Sequence, residues 1–230
     1  MNRREELGSA YAAHHAEHAR YGFSYRAGER GPQLAAWVGT GTRVLDLGCR
    51  DGTLTQHYVT GNVVTGVDID RQALLMARER LGISTIWLDL NRDQLPFDDG
   101  SFDVVVAGEI LEHLVDPAFV VGEARRVLTP GGVFIGSVPN SFHWRARLAF
   151  LTGRSAEDPT HLHLVSRSEL LKLLGGFATA ELIPVGGIGG RILPVVPPWI
   201  SRWFVRGLPT LFANDFLFRA VKQTTQGDEA

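Results

Sequence analysis

A chain of 230 residues is long enough for one α/β unit with a full core, plus at most a small cap. An apolar fraction of 44% and a charged fraction of 21% are ordinary globular usage, and a net charge of -2 leaves no global basic field for a nucleic acid. A single cysteine, Cys49, excludes an internal disulfide and a multi-cysteine zinc site, which fits a reducing cytoplasm.

The first residues, Met1 to Leu7, carry charge with no apolar stretch behind them, so no secretory signal is expected. No apolar run reaches membrane-spanning length without charges or Pro and Gly breaks. Helices are predicted over 3–18 and 26–38. A regular alternation follows: a strand over 43–47, a glycine-containing turn, a helix from about 52, a strand over 63–68 and a helix over 71–80. Further strands are expected over 85–88 and 102–107, then a helix over 117–128, closed by Thr129-Pro130-Gly131-Gly132, and a strand over 133–138. This spacing gives βαβ units, hence a doubly wound, mostly parallel sheet with helices on both faces. Such a sheet binds ligands at the carboxyl ends of its strands.

The last third differs. Residues 140–163 read as an inserted helix or lid, and 166–174 as a helix with a capping box of Ser166 and Glu169. Final strands are expected over 178–184 and 216–222, with a polar tail over 223–230. The organisation is one domain over 1–230: a helical cap (1–40), a core (41–138), a lid with the last strands (139–222), and the tail. The segment 186–214 carries Trp199, Trp203, Phe204 and Phe212 with Arg191, Arg202 and Arg206, and no acid. It suits an apolar acceptor lid, a peripheral membrane contact, a homodimer face or packing over the sheet edge.

The stretch Val44-Leu45-Asp46-Leu47-Gly48-Cys49-Arg50-Asp51-Gly52 is a strand ending in a turn where glycine lets ligand atoms approach the backbone. A dinucleotide fingerprint starting at Gly48 requires glycines where Arg50 and Thr53 stand, and Asp51 would oppose a pyrophosphate. Asp68 ends the next strand about 20 residues on, where an acid accepts from both ribose hydroxyls, with Ile69 beside it. Asp89 ends the third strand, with Leu90 beside it, placed to meet an adenine amino group.

These residues resemble the class I S-adenosylmethionine-dependent methyltransferases, close to the group that includes quinone-biosynthesis O-methyltransferases. The likeness runs over about 42–138 and includes Leu95-Pro96-Phe97-Asp98-Asp99-Gly100-Ser101-Phe102-Asp103 and Ala124 to Gly132. It implies a seven-stranded sheet whose final hairpin holds the one antiparallel strand. It implies S-adenosylmethionine as cofactor, held by Asp46, Gly48, Cys49, Arg50, Gly52, Asp68, Ile69, Asp89 and Leu90, with Arg26 or its neighbour Tyr25 on its carboxylate. Arg50 departs from the family, which has glycine there.

Glu109, Glu112 and His113, at i, i+3 and i+4, fall on one face of a helical turn and can hold a divalent cation such as Mg. The pattern resembles the metal motif of quinone and small-RNA O-methyltransferases. His113, His161 and His163 are the candidate general bases, and His143 a weaker one. His14, His15 and His18 are expected on a solvated face. The reading is methylation of a hydroxyl on a small acceptor: a sugar, a quinone precursor or a natural product. The alternatives are a cofactor-binding regulatory partner without turnover, and a metal-dependent RNA 2′-O-methyltransferase, for which no basic stripe exists.

Overall fold

The computed structural model describes residues 3–154, 160–187 and 197–224. Two helices lead, α1 (Arg3–Glu17) and α2 (Ala27–Val38), followed by β1 (Arg43–Leu47), β2 (Val63–Asp68), α3 (Arg71–Leu81), β3 (Ser84–Trp87) and β4 (Phe102–Gly108). Next come α4 (Pro117–Val127), β5 (Leu128–Pro139), α5 (Trp144–Leu151), α6 (Arg167–Leu173) and β6 (Thr179–Val185). The chain then forms α7 (Pro198–Gly207), α8 (Pro209–Phe212) and β7 (Asp215–Val221).

The strands make one seven-stranded sheet in the order β3-β2-β1-β4-β5-β7-β6. The first five are mutually parallel, and β7 runs antiparallel to both β5 and β6. Central strands covered on both faces need apolar side chains on each. In β4 the alternation is explicit: Val104 and Val106 pack with Leu34 and Val38 of α2, while Val105 and Ala107 pack with Val120 and Ala124 of α4. The helices start where their caps say. Asp70 accepts from the N–H groups of Gln72 and Ala73 at α3, and Asp116 from Phe119 at α4. Ser166 and Glu169 complete the capping box of α6.

Two expectations are corrected. The helix predicted from residue 52 is only a 3-10 turn at Thr55–His57. The hydroxyls of Thr53 and Thr55 bond inward to Asp51 and Asp46, and such local side-chain bonds compete with helix formation. Strand β5 begins at Leu128, ahead of the expected 133. The ladder passes from Phe102–Leu128 to Val104–Val133, so the Thr129–Gly132 turn is absorbed as a bulge.

Residues 155–159 of the expected lid, Arg191, and residues 225–230 of the expected tail lie outside the described residues. In α7, Trp199 and Trp203 are two-thirds exposed, whereas Phe204 meets the ring of Phe212 at 5.0 Å. No helix among the described residues is long and apolar enough to cross a membrane.

Gly136 in β5 shows how tightly the sheet centre is packed. A Cβ there would lie 2.0 Å from the carbonyl oxygen of Ala107 and 2.6 Å from the ring of Phe218. Gly122, exposed on α4, has nothing within 4 Å. Gly136→Ala is expected to destabilise by about 1–3 kcal/mol or more. Gly122→Ala should stabilise by up to about 1 kcal/mol, through helix propensity. Urea denaturation midpoints of the two variants check the contrast.

Candidate active site

In this strand order the chain moves outward from β1 through β2 to β3, then returns to the other side of β1 with β4. The crevice at that switch point, outside the strands' carboxyl ends, is where open α/β sheets bind ligands. A cavity of ≈ 670 Å³ occupies it, within the usual range for small-molecule sites. One end is lined from β1, β2 and β3, and the other from β4, β5, residues 160–161 and the start of β7.

At the first end, Gly48 turns the chain out of β1 with φ 70°, and a Cβ there would sit 2.8 Å from Ile110. Arg50 takes the left-handed conformation, φ 47°, which favours glycine and costs an L-residue about 1–2 kcal/mol. The loop therefore keeps its path although a side chain stands where the resemblance has glycine. The Arg50 N–H donates to Asp68 at 2.9 Å, and the Asp70 N–H donates to the other oxygen of the same carboxylate at 2.9 Å. Burial pushes the Asp68 carboxyl upward against these bonds. Asp46, buried below the turn, accepts from the hydroxyls of Thr55 at 2.6 Å and Tyr58 at 2.8 Å, and burial pushes it up to about 6. Ile69, Leu90, Cys49 and the buried Asp89 also line this end.

Three expectations change here. Gly52 does not line the cavity. Its φ of 76° and a Cβ position 2.5 Å from Leu81 make it a packing glycine against α3. Arg26 does not line it either, being 3.0 Å from Glu29 and 3.5 Å from Asp215; its neighbour Tyr25 does. His14 and His15 are not on a solvated face but form the cavity wall with Leu7 and Tyr11 of α1. His15 Nδ1 lies 2.9 Å from Asp70, and the Tyr21 hydroxyl donates to the same oxygen at 2.8 Å. That shared acid fastens α1 and the loop after it over the end of β2.

At the second end, the expected helical face of Glu109, Glu112 and His113 does not form. Glu109 has φ 56°, its N–H donates to Ser137 as a continuation of the ladder, and only a 3-10 turn follows at Leu111–His113. The kink sends the Glu109 carboxylate toward Arg30 Nη1, 3.0 Å away. Glu112 and His113 instead meet His161, and ligand-type atoms of these three all lie within 4.8 Å of one another. His113 Nδ1 is 3.0 Å from the carbonyl of Thr160, which can only accept, so a proton is on Nδ1, and in the neutral ring the lone pair is on Nε2. The His113 and His161 rings stand edge to face at 4.8 Å. Burial, then the neighbouring Glu109, pushes the Glu112 carboxyl well above the usual range. His163 is turned away: it does not line the cavity, and its Nε2 lies 3.3 Å from the carbonyl of Val115. In that irregular segment the N–H groups of Leu162 and His163 both donate to the Glu112 carbonyl, which sets the side-chain directions.

Sequence reasoning missed Arg30 and Asp215. Arg30 is fully buried, four residues before Leu34 and eight before Val38, so a cation on an apolar stripe was the available signal. Its Nη1 donates to Ser137 at 2.7 Å and its Nη2 to Ser24 at 2.9 Å. Asp215 lines the cavity from the start of β7, and burial together with nearby Glu109 pushes it up to about 7. No sequence pattern announced it.

A parallel five-strand half with an inserted antiparallel β7, and strand-end acids around one crevice, define a nucleoside-cofactor enzyme class within the Rossmann-like folds. The comparisons with known proteins then name it. A family model described as a methyltransferase domain matches residues 45–136. A relative from Mycolicibacterium smegmatis, named as a probable S-adenosylmethionine-dependent methyltransferase, is 36% identical over 149 residues, 63% of this chain and 55% of its own length. The chain thus spans about half the length of that relative. The ubiquinone biosynthesis O-methyltransferase of Aromatoleum aromaticum is 32% identical over 160 residues, 62% of this chain and 67% of that one. A solved S-adenosylmethionine-dependent methyltransferase from Archaeoglobus fulgidus superposes with a TM-score of 0.60 at 19% identity, over 84% of this chain and 93% of that one. The chain belongs to the S-adenosylmethionine-dependent methyltransferase family.

His143 caps α5, its Nδ1 accepting the N–H of Arg145, and it lines the cavity. Burial first, then the charges of Arg145 and Arg26, lower it from 6.5 to about 4. Because the folded value lies below the ordinary one, the stability His143 contributes is complete above 6.5 and is lost as pH falls toward about 4. His143→Asn keeps an acceptor for the cap but does not titrate. Relative to it, the native chain should lose up to about 3 kcal/mol across that window, read by denaturation at stepped pH.

Proposed function

We propose that this chain transfers the methyl group of S-adenosylmethionine to a hydroxyl oxygen of a small acceptor. One observation carries the reading: a single cavity holds strand-end acids at one end and, at the other, an imidazole whose Nδ1 is fixed on a carbonyl beside a second imidazole.

The cofactor end fits a cationic, amino-acid-bearing nucleoside. Asp68 accepts from the ribose hydroxyls, retaining lone pairs beyond its two backbone bonds. Asp89 accepts from the adenine amino group, Ile69 and Leu90 pack on the base, and Gly48 brings the backbone close. Bound there, S-adenosylmethionine supplies a methyl already activated by its sulfonium. What remains for the protein is alignment, exclusion of water and handling of one proton.

A hydroxyl is a weak nucleophile at neutral pH, so it needs a base or a cation near the line of transfer. His113 Nε2 takes the proton, and His161, packed edge-on against that ring, orients it. The second reading is a divalent cation held by Glu112, His113 and His161, favoured by the spacing of their ligand atoms. The names of the ubiquinone O-methyltransferase relatives support oxygen as the methylated atom.

Calorimetry with S-adenosylmethionine should show a loss of roughly 1–3 kcal/mol for Asp68→Ala. Tight NAD binding, or an unchanged affinity in the variant, refutes the cofactor assignment. For the transfer, release of S-adenosylhomocysteine is followed with a panel of catechols. His113→Ala should lower turnover by about 100-fold or more with cofactor affinity intact, while His163→Ala stays active. Activity lost in chelator and restored by Mg supports the cation; indifference to chelator supports the base. Full activity of both His113→Ala and His161→Ala in chelator would overturn the assignment of this rim.

A further inference from the structure

The acceptor end of the cavity contains an unanswered set of hydrogen-bond donors. Arg145, second residue of α5, lines the cavity, and its Nε and Nη2 are buried without a hydrogen-bond partner. These two nitrogens share one edge of the guanidinium, so their N–H bonds point the same way as a side-on fork. Beside it, His143 is 6% exposed and lines the same cavity. Its Nδ1 accepts the Arg145 N–H, so in the neutral ring the proton sits on Nε2, which is also buried and unpartnered.

Among the described residues, no acid pairs with this edge. The ion pairs of Glu109, Asp215 and Glu112 run to Arg30, Arg26 and His113, and none reaches Arg145. The charges that act on His143 are those of Arg145 and Arg26, both positive. The Arg145 guanidinium stands 5.3 Å from the Trp144 ring, which supports its plane without satisfying an N–H. Buried donors left unmade are expensive, and a charged group more so. A fork and an adjacent N–H, all donors and none acceptors, match an oxyanion.

We propose that Arg145 and His143 form an oxyanion subsite, so that the acceptor carries a carboxylate or a phosphate in addition to the hydroxyl that is methylated. Arg145 binds two oxygens side-on and His143 Nε2–H donates to one of them. Anchoring the acid on α5, which follows β5, leaves the rest of the acceptor to extend along the strand ends toward Glu112 and His113. This rests on reading the cavity as a methyl-acceptor site, and it narrows the acceptor class from hydroxylated molecules to hydroxylated acids.

The test is calorimetry on the chain loaded with S-adenosylhomocysteine, with 4-hydroxybenzoate, phenyl phosphate and phenol as probes. At least one acid probe should bind about tenfold or more tightly than phenol, and the better of the two names the oxyanion. Arg145→Gln should bring that acid to the affinity of phenol, and Arg145→Lys should keep part of the preference, with charge but no fork. S-adenosylhomocysteine affinity should be unchanged in both variants, which also reports that they fold. Equal affinity for acids and phenol, binding of no probe, or a preference that survives Arg145→Gln overturns the proposal. A drop in S-adenosylhomocysteine affinity overturns it too, because Arg145 would then serve the cofactor's own carboxylate. The assay reads binding, not turnover. Acid preference in a chain that transfers no methyl would sink the functional reading and leave this subsite standing.

Discussion

The guanidinium of Arg30 is buried where α2 meets β4 and β5, and the crevice takes its shape from the way that charge is satisfied. One nitrogen donates to Ser137 of β5 and lies 3.0 Å from the Glu109 carboxylate just past β4, while another donates to Ser24 ahead of α2. An ion removed from water is tolerated only with good pairing, and taking away one partner typically costs about 3–5 kcal/mol. Glu109 in its left-handed conformation and Ser137 in β5 are therefore held in one arrangement by a single cation. That arrangement sends Glu109 toward α2 and leaves Glu112 and His113 to face His161.

The two ends of the cavity are built on different physical terms. The proposed cofactor end is backbone geometry with acids fixed to it: Gly48 and Arg50 in left-handed conformations, and Asp68 bonded to two N–H groups. The proposed acceptor end is side-chain chemistry on irregular segments, where Glu112 is buried against an imidazole pair and Asp215 is raised to about 7. Rigid turns suit a cofactor of fixed shape, and loops on a rigid scaffold suit a variable one.

The same division explains what could be read from the chain. The strands Arg43–Leu47 and Val63–Asp68 were legible because an apolar run ending in an acid or glycine is a local pattern. The Ser166–Glu169 capping box was legible for the same reason. The helix expected after Gly52 was not legible, because Thr55 spends its hydroxyl on Asp46, nine residues back. Glu109, Glu112 and His113 have helical spacing, but one left-handed residue breaks the periodicity, and spacing carries no record of φ. The place of His161 inside and His163 outside depends on two N–H groups sharing the Glu112 carbonyl, a contact about 50 residues away. Arg30 and Asp215 come together only through the sheet order.

Inserting β7 antiparallel between β5 and β6 has a consequence beyond topology. An antiparallel strand begins where its parallel neighbours end, so Asp215, the first residue of β7, reaches the rim beside Pro139, the last of β5. The wall proposed for the acceptor thus comes from residues 108–215, whereas most of the wall proposed for the cofactor comes from residues 46–91 and from α1. Two nearly separate stretches of one chain face each other across the transfer line. On the proposed reading, substitutions, insertions or exchanged segments in the later stretch would change what is methylated without touching the turn that binds the donor. On that reading the fold is a fixed methyl-donor socket with a replaceable mouth.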